Sequence, residues 1–399
     1  MRPTRTLKGG VLSQRRPWVL GAWLVAVGLA GKCRGEDRVE YRYEDYAEDD
    51  GRIHIRTHGA FFEVGLAPWV SVKGNFVYDA ISGATPTGAP PLPGENEVAT
   101  VTIEDIRRAG YVEPSFRFDR HTLTPQFSYS AEQDYESTGV SLTHAIDFNE
   151  KNTTLTWGVS HAFDRVLPSE GTRLEDVEDK DTLDFLVGVN QLLGPKTTVT
   201  ANLTLGYTDG FLADPYKRVL FRDFPYTPGE PYTVFPESRP GSRFRQVLYL
   251  GGSHFIETLD AAVEVGYRWH HDDWGIWAHT VSLEWHQKVG RIVTISPLFR
   301  FHTQSAAEFY GTSFGGDPSC PEGEPGCPDI PLPEHYSADF RLSELNTFTF
   351  GVSVNARVHE RVSLEVGYKR YVMEGTDGVT SDSQYPSADV VSGSVAVWF

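Results

Sequence analysis

Apolar and polar side chains alternate along most of the chain with a period of two, the repeat of a strand wetted on one face only. From Thr198 to Tyr207, Val199, Ala201, Leu203, Leu205 and Tyr207 share one face, opposite Thr198, Thr200, Asn202, Thr204 and Gly206. The pattern recurs at Leu155, Trp157, Val159, His161 and Phe163, then at Leu259 to Trp269, and again at Phe348, Phe350, Val352 and Val354. The last segment, Ala388 to Phe399, puts Val391, Gly393, Val395, Val397 and Phe399 on one face and Ser392, Ser394, Ala396 and Trp398 on the other. Such strands predict an all-β fold.

Connections between these segments alternate in kind. Seven are short, near residues 66–68, 119–121, 149–152, 193–196, 257–258, 288–291 and 359–361. Eight are longer and variable, around 48–51, 80–108, 132–136, 165–180, 208–242, 271–274, 304–343 and 375–387. Sixteen strands result if the charged Arg38 to Tyr46 segment counts as the first. An even number, short turns at one end and long loops at the other define a single transmembrane antiparallel up-and-down β-barrel of the bacterial outer membrane, with both termini on the periplasmic side.

A soluble β-sandwich also alternates. Three features weigh against it: apolar faces that run unbroken for about 9–11 residues, the spanning length of a tilted strand; Trp and Tyr at strand ends, as in interfacial girdles; and opposite faces too polar for a dry core.

Composition agrees, with 13% aromatic residues, 38 Gly and 2 Met. The longest apolar run, Trp18 to Ala30, is interrupted by two glycines and falls short of the roughly 20 residues of a membrane helix. It follows Arg2, Arg5, Lys8, Arg15 and Arg16, so residues 1–35 read as a cleaved export signal, cut between Ala30 and Gly35. Gln14 and Pro17 beside Arg15-Arg16 argue against a twin-arginine signal, and Lys32 against lipidation of Cys33. Residues 36–399 then hold 29 basic and 54 acidic side chains, a net charge of −25, which excludes nucleic acid as a natural partner. The expected surroundings are outer-membrane lipid and lipopolysaccharide. Cys320 and Cys327, in a turn-rich stretch of an exported chain, suit a small disulfide loop better than a metal site.

Five phrases carry a resemblance: Asp79-Ala-Ile-Ser-Gly-Ala-Thr-Pro86, Asp214-Pro-Tyr-Lys-Arg-Val-Leu220, Tyr267-Arg-Trp-His-His-Asp-Asp-Trp-Gly275, Gln304-Ser-Ala-Ala-Glu-Phe-Tyr310 and Ser337-Ala-Asp-Phe-Arg-Leu-Ser343. Together they resemble the bacterial proteins grouped as domain of unknown function 3570, over nearly the whole chain after the export signal. The resemblance implies an outer-membrane barrel and transfers no catalytic residue. The Cys320 to Cys327 stretch is a local loop elaboration beside it.

Candidate chemistry gathers at the outer rim. Asp79 ends the third strand, His270, His271, Asp272 and Asp273 lie in a tight outer turn, and Asp339 flanks the largest loop. Parity sends Arg268, His270, Arg300 and His302 into the lumen near its outer mouth, with Glu264, Glu284 and His286 nearer the periplasm. A basic ring above an acidic one filters solutes by charge. His270 to Asp273 has metal-ligand chemistry, but neighbours on a strand point apart, and Asp-Asp suits a tight turn. Gly311-Thr-Ser-Phe-Gly315 mimics a hydrolase elbow but lacks the following helix. The acidic run from Glu170 to Asp181 reads as a solvated face, able to bridge divalent cations to lipopolysaccharide. No cofactor and no enzymatic set is expected. The sequence therefore predicts a barrel that passes or binds a small solute through a charged lumen. The alternative is a scaffold with a plugged lumen and a periplasmic protein partner, with an embedded hydrolase behind both.

Overall fold

The computed structural model describes residues 37–399 except 92–96, 173, 223–233, 321–324 and 326–330. The expected export signal, Cys33 and Cys327 lie outside the described residues.

Strands β1 (Arg38–Glu48), β2 (His54–Ala67), β3 (Val70–Pro86), β4 (Thr100–Phe118), β5 (His121–Ala131) and β6 (Tyr135–Phe148) follow one another in antiparallel hairpins. Next come β7 (Thr153–Val166), β8 (Glu178–Gly194) and β9 (Thr197–Gly210). Two short strands, β10 (Arg218–Leu220) and β11 (Val234–Pro236), form a separate hairpin inside the following loop. The wall resumes with β12 (Ser242–Ile256), β13 (Ala261–Asp272), β14 (Trp277–Val289) and β15 (Val293–Gln304), and ends with β16 (Leu345–His359), β17 (Val362–Gly375) and β18 (Ser387–Trp398). Sixteen of these strands form a closed antiparallel barrel, as the alternation predicts.

Closure falls where the sequence puts it. β1 pairs with β18 from Arg38↔Trp398 to Glu48↔Ala388, and with β2 on its other side. No sheet edge is left open, which is the condition for backbone amides and carbonyls to cross lipid. The charge of β1 no longer conflicts with a membrane strand. Its register sets Glu40 and Arg42 on the lumen side, where Arg42 comes within 3.8 Å of Glu365 on β17, while Tyr41 and Tyr43 lie on the lipid side against His58.

The outward face is an apolar band: Phe76, Val112, Phe127, Val140, Phe185, Leu203, Val265, Leu283, Phe350, Val352, Val366 and Val395 are all exposed. In a water-soluble fold this much exposed hydrocarbon would mark aggregation; here it meets acyl chains. Aromatic residues rim it, with Trp69 stacked on Phe116 at the short-turn end and Trp269, His271 and Trp277 clustered at the loop end. The inner turns are tight: Asp119-Arg120 alone joins β4 to β5, with Asp119 at φ 56°, a left-handed conformation that Asp tolerates.

Two boundaries move outward from their sequence-based positions. β3 continues to Pro86 and β4 begins at Thr100, so the expected loop of 80–108 shrinks to 87–99. The strands extend beyond the apolar band, where Glu104, Asp105 and Arg107 are tolerated and a hydropathy criterion loses the strand.

An arginine at the band's centre tests which face is which. Val352→Arg, on the lipid side of β16, should cost about 2–4 kcal/mol, measured by guanidinium unfolding in lipid vesicles. Ser353→Asn, one residue along on the lumen side, should leave the midpoint nearly unchanged. Equal losses at both sites would contradict the assignment.

Candidate functional site

The described residues of three outer loops, 87–99, 211–241 and 305–344, fold against one another into a cap with a hydrophobic centre of its own. Val219, Phe221 and Ala338 are buried there, packed by Phe235, Phe314 and Tyr336. The Phe221 ring meets Tyr336 edge-on at 4.9 Å. Single bridges tie Phe221 to Phe314, Ser238 to Tyr336 and Tyr310 to Ser337, so the two long loops share backbone hydrogen bonds as well as side chains. Phe314 of the Gly311 to Gly315 stretch is thus spent on cap packing.

Beneath that centre lies a network of buried charge. Asp339 is 1% exposed and accepts from Arg239 at 2.8 Å and Arg341 at 2.5 Å. Glu237 pairs with Arg239 at 2.6 Å and accepts from Ser337 Oγ at 2.5 Å. Arg341 also reaches Asp214, and Lys217, 2% exposed, donates to the carbonyl of Pro86 at 2.6 Å. Three carboxylates meet three cations, so the hub is neutral as a whole.

Burial by itself would raise the Asp339 carboxyl, but Arg341, Lys217 and Arg239 hold it well below the usual carboxylate range. Burial pushes the Lys217 ammonium down, against the pull of Asp339. It likewise pushes Glu237 up, opposed mainly by Arg239.

The hub stands inside the bore. Leu342 packs with Trp274, Ile276 and Ala278 on the side of β14, while Phe340 packs with Leu345, Tyr385 and Met373 on the side of β16 and β17. Gln304 donates to the carbonyls of Arg341 and Ser343 at 2.9 and 3.0 Å. Segment 337–343 therefore forms a bridge seated on the β14–β17 side of the outer mouth, and Arg341 keeps 52% of its side-chain surface open. A cavity of about 790 Å³ lies on one side of it, against β8, β9 and β12–β15. A second of about 430 Å³ lies on the other, against β1 and β16–β18.

The rim residues named from sequence divide into two groups. Asp339, Arg268, His270 and His302 line the larger cavity, and Arg300 stands close enough to Arg268 to repel it. Asp272 closes its own turn, accepting from the amides of Trp274 and Ile276 at 3.1 and 3.0 Å, and binds Arg243 and His270 with its other oxygen. Asp273 instead caps the amide of Phe244 at 2.9 Å, and His271 stacks outward on Trp277 at 3.9 Å. The four residues His270 to Asp273 thus point to different partners. Asp79 sits in the β3 wall, accepting from Thr57 at 2.7 Å. Cys320 is disulfide-bonded.

Lys217, Glu237, Arg239, Arg243, Arg245 and Arg341 also belong to the site, and no periodicity or motif in the sequence marks them as its members. Two of them, Lys217 and Arg341, lie inside the phrases that carry the family resemblance. All five phrases in fact converge here: Pro86 receives Lys217, Asp214 receives Arg341, Trp274 and Gln304 support the bridge, and 337–343 is the bridge. Arg245 reaches Asp184 at 3.2 Å across Gly206, where a Cβ would sit 2.3 Å from the carboxylate. Deeper in the lumen, Glu264, Glu284 and His286 bring ligand atoms within 4.8 Å of one another, as do Asp105, Glu132 and Asp134 at the wall.

The pattern of the family described as "Protein of unknown function (DUF3570)" matches residues 24–394. The chain belongs to that family. No curated protein matches the sequence. Among solved structures, this DUF3570 barrel resembles CdiB from Acinetobacter baumannii, with 8% identity, a TM-score of 0.52, and coverage of 92% of this chain and 61% of that one. It also resembles a bacterial polysaccharide outer membrane secretin, with 10% identity over 92% of this chain and 100% of that one and a TM-score of 0.47. The siderophore receptor PirA from Pseudomonas aeruginosa matches with 10% identity and a TM-score of 0.44, over 92% of this chain and 62% of the receptor. The chain therefore spans about six tenths of the length of CdiB and PirA. These likenesses concern the fold, that of an outer-membrane β-barrel.

In the DUF3570 barrel, removing Asp339 leaves Arg239 and Arg341 without their shared carboxylate. Asp339→Ala should loosen the cap by about 3–5 kcal/mol, as breaking a buried pair does, read as faster amide exchange in 211–241 and 305–344 with the wall strands unchanged. Acid should act on the same residue. Its folded-state pKa lies below the unfolded one, so its contribution is complete above about pH 4 and is lost as the pH falls through the lower folded value. Exchange in the cap should accelerate below about pH 4 in the natural protein, and Asp339→Asn should remove most of that acid step.

Proposed function

We propose that this outer-membrane barrel is a conduit for a small solute, whose charged lumen is narrowed at the outer mouth by the 337–343 bridge. One observation carries the reading: Arg341 borders both cavities, and each is walled by lumen-facing strand residues. A sealing plug would pack against the whole wall and leave no such cavities beside it. The bridge is a loop segment and not part of the membrane wall, held by the ion pairs of Asp339 and by hydrogen bonds from Gln304 at the end of β15.

The chemistry of the lumen supports solute contact over a purely structural role. Lumen faces carry Arg42, Glu365, Asp184, Arg245, Arg268, Glu264, Glu284 and Arg300, residues that need water or polar solute beside them. Strands built only to scaffold a partner have no need of charges in the bore.

Planar-bilayer recording of the refolded full-length barrel tests this. The natural protein should give small, stable openings, and Asp339→Ala, by releasing the bridge, should raise the single-channel conductance severalfold. A barrel that stays silent in both forms overturns the conduit reading and favours a scaffold that works through a partner.

A further inference from the structure

Arg268 and Arg300 stand on β13 and β15, separated by β14. Arg268 is level with Thr280, and Arg300 with Ser282, which in turn lies opposite Gly266. Only small side chains therefore occupy the wall between the two guanidinium groups. Neither arginine has an ion pair or a hydrogen bond among the described residues. The charges acting on Arg268 are those of Arg300 and Arg245, both positive. Its surroundings contrast with those of Arg243, which is ion-paired to Asp272 and stacked over Trp274 at 4.4 Å.

The wall denies these arginines a partner. Glu264, four residues from Arg268 along β13, and Glu284, on β14 and diagonal to Arg300 two residues nearer the short-turn end, both face His286 instead, at 3.7 and 3.9 Å. Four residues of strand put Glu264 about 13 Å from Arg268, and Glu284, though a diagonal neighbour of Arg300 within reach of long side chains, makes no ion pair with it among the described residues. On the other flank, Thr280 Oγ1 is engaged with His302 Nδ1 at 2.9 Å, and His270 reaches Asp272 at 3.2 Å. Arg245 keeps Asp184 at 3.2 Å, which satisfies one cation of the three.

We infer that Arg268 and Arg300, with Arg245 beside them, form a binding site for a small solute carrying two or more carboxylate or phosphate groups. Like charges brought together in a confined aqueous space repel each other, and a polyvalent anion between them removes that repulsion and supplies acceptors at the same time. Guanidinium groups suit this role because each presents paired donors to a planar carboxylate or to phosphate oxygens. Arg268 opens directly onto the cavity of about 790 Å³, large enough for a citrate-sized solute. The inference deepens the conduit reading by naming the class of solute, and its binding measurement stands apart from any measurement of current.

Isothermal titration of the folded full-length barrel in detergent, with citrate and pyrophosphate as probes and glucose as the neutral control, tests it. Citrate and pyrophosphate should bind saturably, more weakly at high salt, and glucose should not. The stronger of the two probes tells carboxylate from phosphate preference. Arg268→Gln and Arg300→Gln should each weaken binding about tenfold or more, the loss expected for one charge-assisted contact. Glu264→Gln should leave it intact. Arg268→Lys guards against a glutamine variant that does not fold: it keeps the charge but not the paired donors, so it should bind between the two. Lack of saturable binding by the natural barrel, or undiminished binding by folded Arg268→Gln, Arg300→Gln or Arg268→Lys, overturns the site. Binding without conductance sinks the conduit reading alone; conductance without binding sinks this one alone.

Discussion

Closure of the hydrogen-bonded sheet is the constraint on which everything else rests. In hydrocarbon an unpaired amide or carbonyl costs several kcal/mol, so β1 must meet β18 in register along its whole length, and it does from Arg38 to Glu48. Once the ring is closed, side chains have only two destinations. Across the apolar band the outward set must be apolar, and the charge of a strongly acidic chain is kept to the lumen, the loops and the strand ends beyond the band. The charged first strand is the clearest case: closure turns Arg38, Glu40, Arg42 and Glu44 inward, while Asp45, on the other face, sits near the loop end of the strand beside Arg56.

Confinement explains the cap. A lumen lined with charge stays wet and gives loops no hydrophobic surface to fold upon, so the outer loops build their own core around Phe221. They then dock on the wall through the apolar contacts of Leu342 and Phe340 and through ions. Burying Asp339 alone would be prohibitive, and three cations within its reach reverse the balance. Such networks define one geometry because every member needs the others. Here that geometry places Arg341 between the two cavities of the outer mouth.

Strand number, closure and lumen orientation were legible because the period of two survives over each 9–11 residue span and the alternation of short and long connections fixes parity. Loop content was not. The pairing of Glu237 with Arg239, or of Asp214 with Arg341, joins residues whose neighbours in sequence show no periodicity, and β10 with β11 is too short to register as a pattern. His271 shows the limit of assigning chemistry from composition: beside His270 and Asp272 it reads as a possible ligand, yet strand alternation turns it out to Trp277. The family phrases did mark the cap, since all five supply parts of it, but they could not say that they meet.

The basic outer vestibule is the feature least expected from overall charge. A chain with a net charge of −25 over residues 36–399 repels anions at long range. At physiological ionic strength that field decays over about 8 Å, and the acids of the hub are cancelled by their own cations. An ion that has passed the bridge is therefore governed by the nearest uncompensated groups, which are Arg268 and Arg300. Further in, the field changes sign at Glu264 and Glu284. In the proposed conduit, an anion held at the arginines meets an unfavourable step toward the periplasm, which favours residence at the outer site over free passage. The axial order of charges thus suits the proposed conduit to capture at its outer vestibule more than to free passage.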